Sequence, residues 1–329
     1  MKGINMTKGL VTVFGANGFL GRHVLRELVR EGWRVRAAVR RPHIAQDLRL
    51  SGKVGQIHLV QANLRFKASV AHAIEGADAV INLASISHKA GSQTFNAVHV
   101  LGAKTVAEAA HAHGITNLVQ ISSLSADADA KCNYAKSKAD GETAVTTVLP
   151  TANIVRVATL YGEGVGVFKN IARLAQLSPV IPLLGGGKNR LQPVYVGDVA
   201  EAVAKVVTQG HTGKIFELAG PETYSVKELI TFTLQTVDKK RALIPMPWFA
   251  GTIFGLGFEI LGAIPLLNLL VKPFITRDMV KGMKVDVVLS GDRAGFAELG
   301  VHVETIEAIV PPTLEVFKTY GQFHKEAEN

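Results

Sequence analysis

The sequence predicts an α/β fold: a doubly wound parallel sheet with a smaller C-terminal α/β lobe. Three observations predict it. Apolar runs of strand length alternate with amphipathic helical stretches over the first half of the chain. A glycine turn, Gly15-x-x-Gly18-x-x-Gly21, joins the first strand to the first helix. At 329 residues the chain can bury a large core and divide into two lobes. The expected boundaries are 1–160, with later segments returning to that domain, and 161–329.

Leu10–Phe14 reads as a buried strand. Leu20, Val24, Leu25, Leu28 and Val29 place an apolar stripe on the helix after the turn, and Val35–Val39 supplies the next strand. Gly15 suits a sharp bend, Gly18 a close approach to a pyrophosphate, and Gly21 close helix–strand packing. The anion would rest on the N–H groups at the positive end of the helix. This order predicts a Rossmann-like dinucleotide site, with Gly15, Asn17, Gly18, Phe19, Leu20 and Gly21 as candidate contacts. The second strand ends in Arg40-Arg41, where a carboxylate would hold the ribose of NAD. Two guanidinium groups suit a 2′-phosphate, so NADP(H) is expected over NAD(H). Arg34 and Arg36 nearby leave a plain basic face as the alternative.

Gln56–Val60 is the third strand, followed by Asn63 and Leu64 where adenine would lie; a polar strand end is the alternative for Asn63. Val70–Ile74 is a short helix, and Ala79–Leu83 is the fourth strand. Leu83, Ala84 and Ser85 at its end leave room for ribose and diphosphate. Thr94–His113 reads as a long helix and Leu118–Ile121 as the fifth strand. Ser122 and Ser123 end that strand, where such sheets carry ligands. Tyr134 and Lys138, four apart, share a helical face. An ammonium near a phenol is expected to lower its pKa, so the tyrosine can exchange a proton with a carbonyl or hydroxyl while a serine holds the oxygen. Val157, at the end of the sixth strand, would border the nicotinamide.

The formal charge is +9, which favours anionic surfaces such as phosphates or acidic headgroups. No nucleic-acid motif accompanies it, and aromatic residues are only 6% of the chain. Cys132 is the only cysteine, so neither an internal disulfide nor a cysteine-based zinc site is expected, and no metal is. Met1–Lys8 is too short for a signal or transit peptide. The protein is therefore expected to stay in the cytoplasm or to have lost a presequence.

Gly15-x-x-Gly18-x-x-Gly21, Ser123 and Tyr134-x-x-x-Lys138 resemble the short-chain dehydrogenase/reductase superfamily. Val39–Pro42, Asn82–Ala84, Val98–Ala103, Tyr134–Glu142, Leu191–Ala200 and Asp286–Val288 are similar to an atypical branch of it. That branch contains the nucleotide-binding accessory subunit of respiratory complex I and bacterial relatives. The resemblance implies NADPH held mainly as a structural cofactor, and complex I subunits or an anionic membrane surface as partners. It implies a peripheral place on the cytoplasmic side of the bacterial inner membrane, or on the matrix side for a processed mitochondrial protein. Active extended members carry Asn where this chain has His99, and Pro-Ser where it has Val157-Ala158. The alternative is an active NADP-dependent oxidoreductase or epimerase on an apolar substrate, using Ser123, Tyr134 and Lys138.

In the second half, Gly185-Gly186-Gly187-Lys188 reads as a turn. Asp198 with Glu201, and Ser225 with Glu228, read as capping boxes, and Pro311-Pro312 as an interruption of the last helix. Residues 242–275 form a strongly apolar stretch broken at Pro265, with Trp248 and Lys272 near its ends. It is expected to face a membrane surface or a hydrophobic partner; an internal lid is the alternative.

Overall fold

The computed structural model describes residues 8–163, 165–263 and 275–318. Pro265, Lys272 and the polar tail from His324 lie outside them. The chain divides into two compact units. The first comprises the chain up to Val157, Val196–Leu218 and Ser290–His302; the second comprises Ala158–Tyr195, Ala219–Leu289 and the chain from Val303.

The first unit is a Rossmann-like parallel sheet. Its strands are β1 (Lys8–Phe14), β2 (Trp33–Val39), β3 (Ile57–Gln61), β4 (Ala79–Asn82), β5 (Leu118–Ser123) and β6 (Asn153–Val157), with Ile215–Leu218 added late. The spatial order is Ile215–Leu218, β6, β5, β4, β1, β2, β3. The order reverses between β1 and β4, so a crevice opens beyond their C-terminal ends. The intervening helices are α1 (Phe19–Arg30), α2 (Lys67–Ile74), α3 (Leu101–Ala112) and α4 (Asn133–Val148).

Helix α1 buries Leu20, Val24, Leu25 and Leu28. Helices α2 and α3 cover the sheet with Val70, Ile74, Val106 and the small Ala107 and Ala110, against Val80, Leu118 and Ile154. Between β4 and β5, Asn82 Nδ2 donates to Gln120 Oε1 at 2.8 Å, and Asn82 Oδ1 accepts from Ala84 N–H at 3.2 Å. This buried pair fixes the strand ends at the crevice. The long helix expected from Thr94 begins with a π turn, Asn96–Val100, before α3.

The capping box expected at Asp198 is not how its helix begins. That helix runs Val196–Thr208, so Asp198 lies buried inside the first turn, and Glu201 pairs with Lys205 at 2.8 Å. Val196 is itself fully buried, and packing sets the start three residues before Val199, where a cap at Asp198 would put it.

The second unit has its own apolar clusters, one built on Tyr161, Phe168, Leu229, Ile306 and Val310, another on Ile181, Leu183 and Ile230. Ser225 caps Val226–Thr236 reciprocally with Glu228, as the sequence predicts. Gly185–Gly187 form a tight turn. The helix Ile306–Leu314 runs through Pro311 and Pro312, where a break is predicted. Ile306, Val310 and Leu314 are buried on one face, and their packing outweighs the missing N–H groups.

Candidate active site

The glycine turn is dictated by sterics. Gly15 has φ +78°, and a Cβ there would lie 3.1 Å from the Ala84 nitrogen at the end of β4. A Cβ on Gly21 would lie 2.3 Å from Gly15 O and 2.7 Å from Ala16 O, backbone atoms that no rotamer change can move. Gly18 precedes α1 without a side-chain cap, which leaves the first-turn N–H groups to an anion.

Beyond this turn, Asn17, Arg40, Arg41, Ile44, Asn63, Arg65 and Gln93 line a cavity of about 400 Å³. Arg36 is committed elsewhere: it donates to the carbonyls of Ala73 and Glu75 at the end of α2, at 2.9 and 2.7 Å. Arg40 and Arg41 make no ion pair among the described residues. Asn63 Oδ1 accepts the Arg65 N–H at 3.2 Å, which aligns Arg65 beside the cavity. Sequence reasoning missed Arg65 and Gln93; the Asn-x-Arg spacing after β3 was the available signal. The Leu64 side chain belongs to the core, where a Cβ on Gly102 would meet it at 3.0 Å.

At the other end of the crevice, β5 and α4 bring Ser123, Tyr134 and Lys138 together. The Tyr134 hydroxyl hydrogen-bonds with Ser123 and with Ser85. Phe95 and His99 stand edge-on to the Tyr134 ring, with centroids 6.0 and 5.6 Å away. Lys138 Nζ lies 6.0 Å from the ring centroid and donates to Ile121 O at 3.4 Å. Ser123 Oγ is 2.9 Å from Ser125 Oγ. Ser122 Oγ is buried without a protein partner among the described residues, and Val157 ends β6, which pairs with β5 through Ser123.

The lowered phenol pKa expected from the sequence is not found. Burial dominates and pushes Tyr134 up, while Ser85 and Ser123 pull the other way. Lys138 lies over the ring face, off the hydroxyl, and is itself stripped of water. Burial brings its ammonium down to about 8, against a restoring pull from Glu142. Glu142, one turn further along α4, also binds Arg156 at 2.8 Å. Arg156 reaches Glu217 at 3.5 Å, and Glu217 accepts from Ser290 Oγ at 2.8 Å. Sequence reasoning missed this buried charge network beneath the lysine; the Lys138-x-x-x-Glu142 spacing carries its signal.

His99 sits in the π turn. Its Nε2 accepts the Ile86 N–H at 3.0 Å, so in the neutral ring Nδ1 carries the proton and donates to Ser137 Oγ at 2.9 Å. Ser85 Oγ lies 3.2 Å from the same Nε2, which ties His99 to the serine holding Tyr134. Burial, then the Lys138 charge, push the imidazole down to about 3. The unfolded chain takes up this proton near 6.5 and the folded chain near 3, so stability should fall as the pH drops through that window. At pH 4 the loss should reach about 3 kcal/mol relative to pH 7. Urea titrations of His99→Gln should lack that part of the acid slope.

Residues 11–219 match the NAD dependent epimerase/dehydratase family.

The chain belongs to that family.

This epimerase/dehydratase-family chain is 30% identical to the rat mitochondrial NADH dehydrogenase [ubiquinone] 1 alpha subcomplex subunit 9 over 99% of its length and 85% of that protein. It is 36% identical to the ceramide reductase of Caulobacter vibrioides over 73% of its length and 74% of that protein. The dTDP-glucose 4,6-dehydratase DesIV of Streptomyces venezuelae, crystallised with NAD, shares the fold. It superposes with a TM-score of 0.63 at 20% identity, covering 72% of this chain and 84% of that one.

Proposed function

We propose that this chain binds NADP(H) along the crevice and is an oxidoreductase for the carbonyl or hydroxyl group of an apolar substrate. The assembled Ser123–Tyr134–Lys138 group carries this reading. Bound nicotinamide would supply or accept the hydride. Tyr134 Oη gives the substrate oxygen its proton in reduction and takes it back in oxidation. Ser123 Oγ donates to that same oxygen, Ser85 and Ser123 hydrogen-bond the Tyr134 hydroxyl, and the Lys138 ammonium sets a positive charge over the ring face. The glycine turn fits a diphosphate, because only backbone faces it. Arg40, Arg41 and Arg65 beside the cavity fit a 2′-phosphate. The likeness to a ceramide reductase supports an apolar substrate.

A second reading is favoured by a specific observation: the similarity to the complex I subunit runs over 99% of the chain, that to the reductase over 73%. The chain is then an accessory subunit of a respiratory NADH:quinone oxidoreductase, peripheral to the cytoplasmic face of a bacterial inner membrane. The nucleotide is then a structural ligand that stabilises the fold by mass action.

The test is made on protein purified in mild detergent without added nucleotide. The bound dinucleotide is identified by mass, and exchange is followed after adding free NADPH and long-chain ketones. NADP(H) that exchanges and is oxidised supports the oxidoreductase. NADPH that neither exchanges nor reacts supports the structural role. Affinity capture from solubilised membranes that recovers no complex I subunit would count against the accessory reading. Replacing both Arg40 and Arg41 by Ala should weaken NADPH binding by about 100-fold or more, since each charge-assisted bond contributes about 1.5–3 kcal/mol. NADH binding should change little. Calorimetric titration with both nucleotides checks this.

A further inference from the structure

The hydrogens around neutral His99 have one consistent order. Ser137 Oγ–H is committed to the Tyr134 carbonyl at 2.8 Å, so this oxygen accepts from His99 Nδ1–H. Nε2 then holds only a lone pair, and the Ile86 N–H points at it from 3.0 Å. Ser85 Oγ, 3.2 Å from the same Nε2, can meet it only by donating. Its oxygen is left to accept, and the Tyr134 hydroxyl is bonded to it. The circuit closes: Tyr134 Oη–H to Ser85, Ser85 to His99, His99 to Ser137, and Ser137 back to the Tyr134 carbonyl.

One member of the circuit is free to turn. His99 is buried and stacked on Phe95, with centroids 5.5 Å apart. Helix α4 presses on the π turn that carries it, since a Cβ on Gly141 would lie 2.2 Å from His99 O. Ser137 is buried as well. Ser85 is exposed. Nε2 has one lone pair to share between the Ile86 N–H and the Ser85 hydroxyl, so the Ser85 hydrogen is held weakly and its hydroxyl can rotate. Lys138 lies over the ring face and donates to Ile121 O, which leaves the phenol oxygen to the serines.

We propose that Ser85 is a catalytic residue, the proton relay between water and the Tyr134 hydroxyl, and that His99 is the positioning residue that holds its hydrogen ready. The proposal rests on the oxidoreductase reading and deepens it. In reduction the substrate's carbonyl carbon gains the hydride of bound NADPH, which leaves NADP⁺. The Tyr134 Oη–H bond breaks as the substrate O–H bond forms. The Ser85 hydroxyl turns from His99, and its O–H bond breaks as Tyr134 Oη–H is remade. Ser85 Oγ then takes a proton from water, so one solvent proton is consumed in each turnover. Oxidation runs the same steps in reverse.

The experiment is single-turnover oxidation of bound NADPH by methyl nonyl ketone in mixtures of light and heavy water. Wild type, Ser85→Ala and Ser85→Thr are compared. Ser85→Ala should be slower by at least about tenfold. The wild-type rate should fall along a curve as deuterium content rises, because two protons move together. In Ser85→Ala it should fall along a straight line, and Ser85→Thr should restore both rate and curve. Ser85 is exposed, so neither variant should lose its fold. In protein labelled with ¹⁵N-histidine, His99 should be the Nδ1–H tautomer, and Ser85→Ala should shift its Nε2 signal. An unchanged rate in Ser85→Ala overturns the relay and leaves the oxidoreductase reading standing. A slower rate with the curve intact overturns it too, because Ser85 would then only pack the site. An Nε2–H tautomer, or an Nε2 signal indifferent to Ser85, overturns the role of His99. A wild type that oxidises NADPH with none of the long-chain ketones overturns the oxidoreductase reading, and the relay with it.

Discussion

Tyr134→Phe is expected to lower turnover by about 10²- to 10⁴-fold, the range for losing a positioned acid–base group, with nucleotide affinity unchanged. The ring stays between Phe95 and His99, so packing is preserved. What disappears is the one hydroxyl bonded to both Ser123 and Ser85. Losing those bonds should cost about 1 kcal/mol of stability, too little to unfold the chain. The measurement pairs single-turnover oxidation of bound NADPH with the calorimetric affinity for NADPH. Equal turnover in both proteins would sink the oxidoreductase reading and leave the structural one. A parallel loss of affinity would mean that the hydroxyl serves binding.

The sheet was legible in the sequence because its signals are local. The alternation of apolar strands with amphipathic helices, and three glycines at fixed spacing, dictate β1, α1 and β2 without reference to any distant residue. Ser123, Tyr134 and Lys138 were legible for the same reason, since strand end and helical spacing put them at one place. What stayed hidden depends on contacts far apart in sequence. Ser85 reads as a small residue until Tyr134, 49 positions later, supplies its partner. His99 reads as a departure from a family pattern until the π turn sets it against Ile86 and Ser137. The direction of the Tyr134 shift was missed because proximity was read and desolvation was not. Asp198 and Pro311 misled in the opposite sense, because local capping and breaking rules yielded to buried partners. The helix Trp248–Ala263 lay between these cases. Its apolarity was plain, but which side faced outward depended on Gly251 and Gly255 meeting Leu184 and Arg277.

Glu142→Gln should have the largest effect on stability, about 3 kcal/mol, near the lower end of what breaking a buried ion pair costs. Glu142 is 8% exposed and faces two cations, Arg156 directly and Lys138 through its field. The loss stays near that lower end because Glu217 remains as a partner for Arg156. The second consequence has a definite sign. Folded Lys138 gives up its proton near 8, whereas an unfolded lysine does so near 10.4. Between those values the unfolded chain holds more protons, so stability rises with pH through that window. Without the Glu142 charge the folded value drops further, and the rise should begin at lower pH. Any turnover that needs the ammonium should lose its alkaline limb at lower pH as well. Glu217→Gln is the control, because it also weakens the hold on Arg156 but does not act on Lys138. Urea titrations from pH 6 to 10 on both variants separate the effects. If the two give the same pH dependence, Glu142 only anchors Arg156, and the charge of Lys138 is set by burial alone.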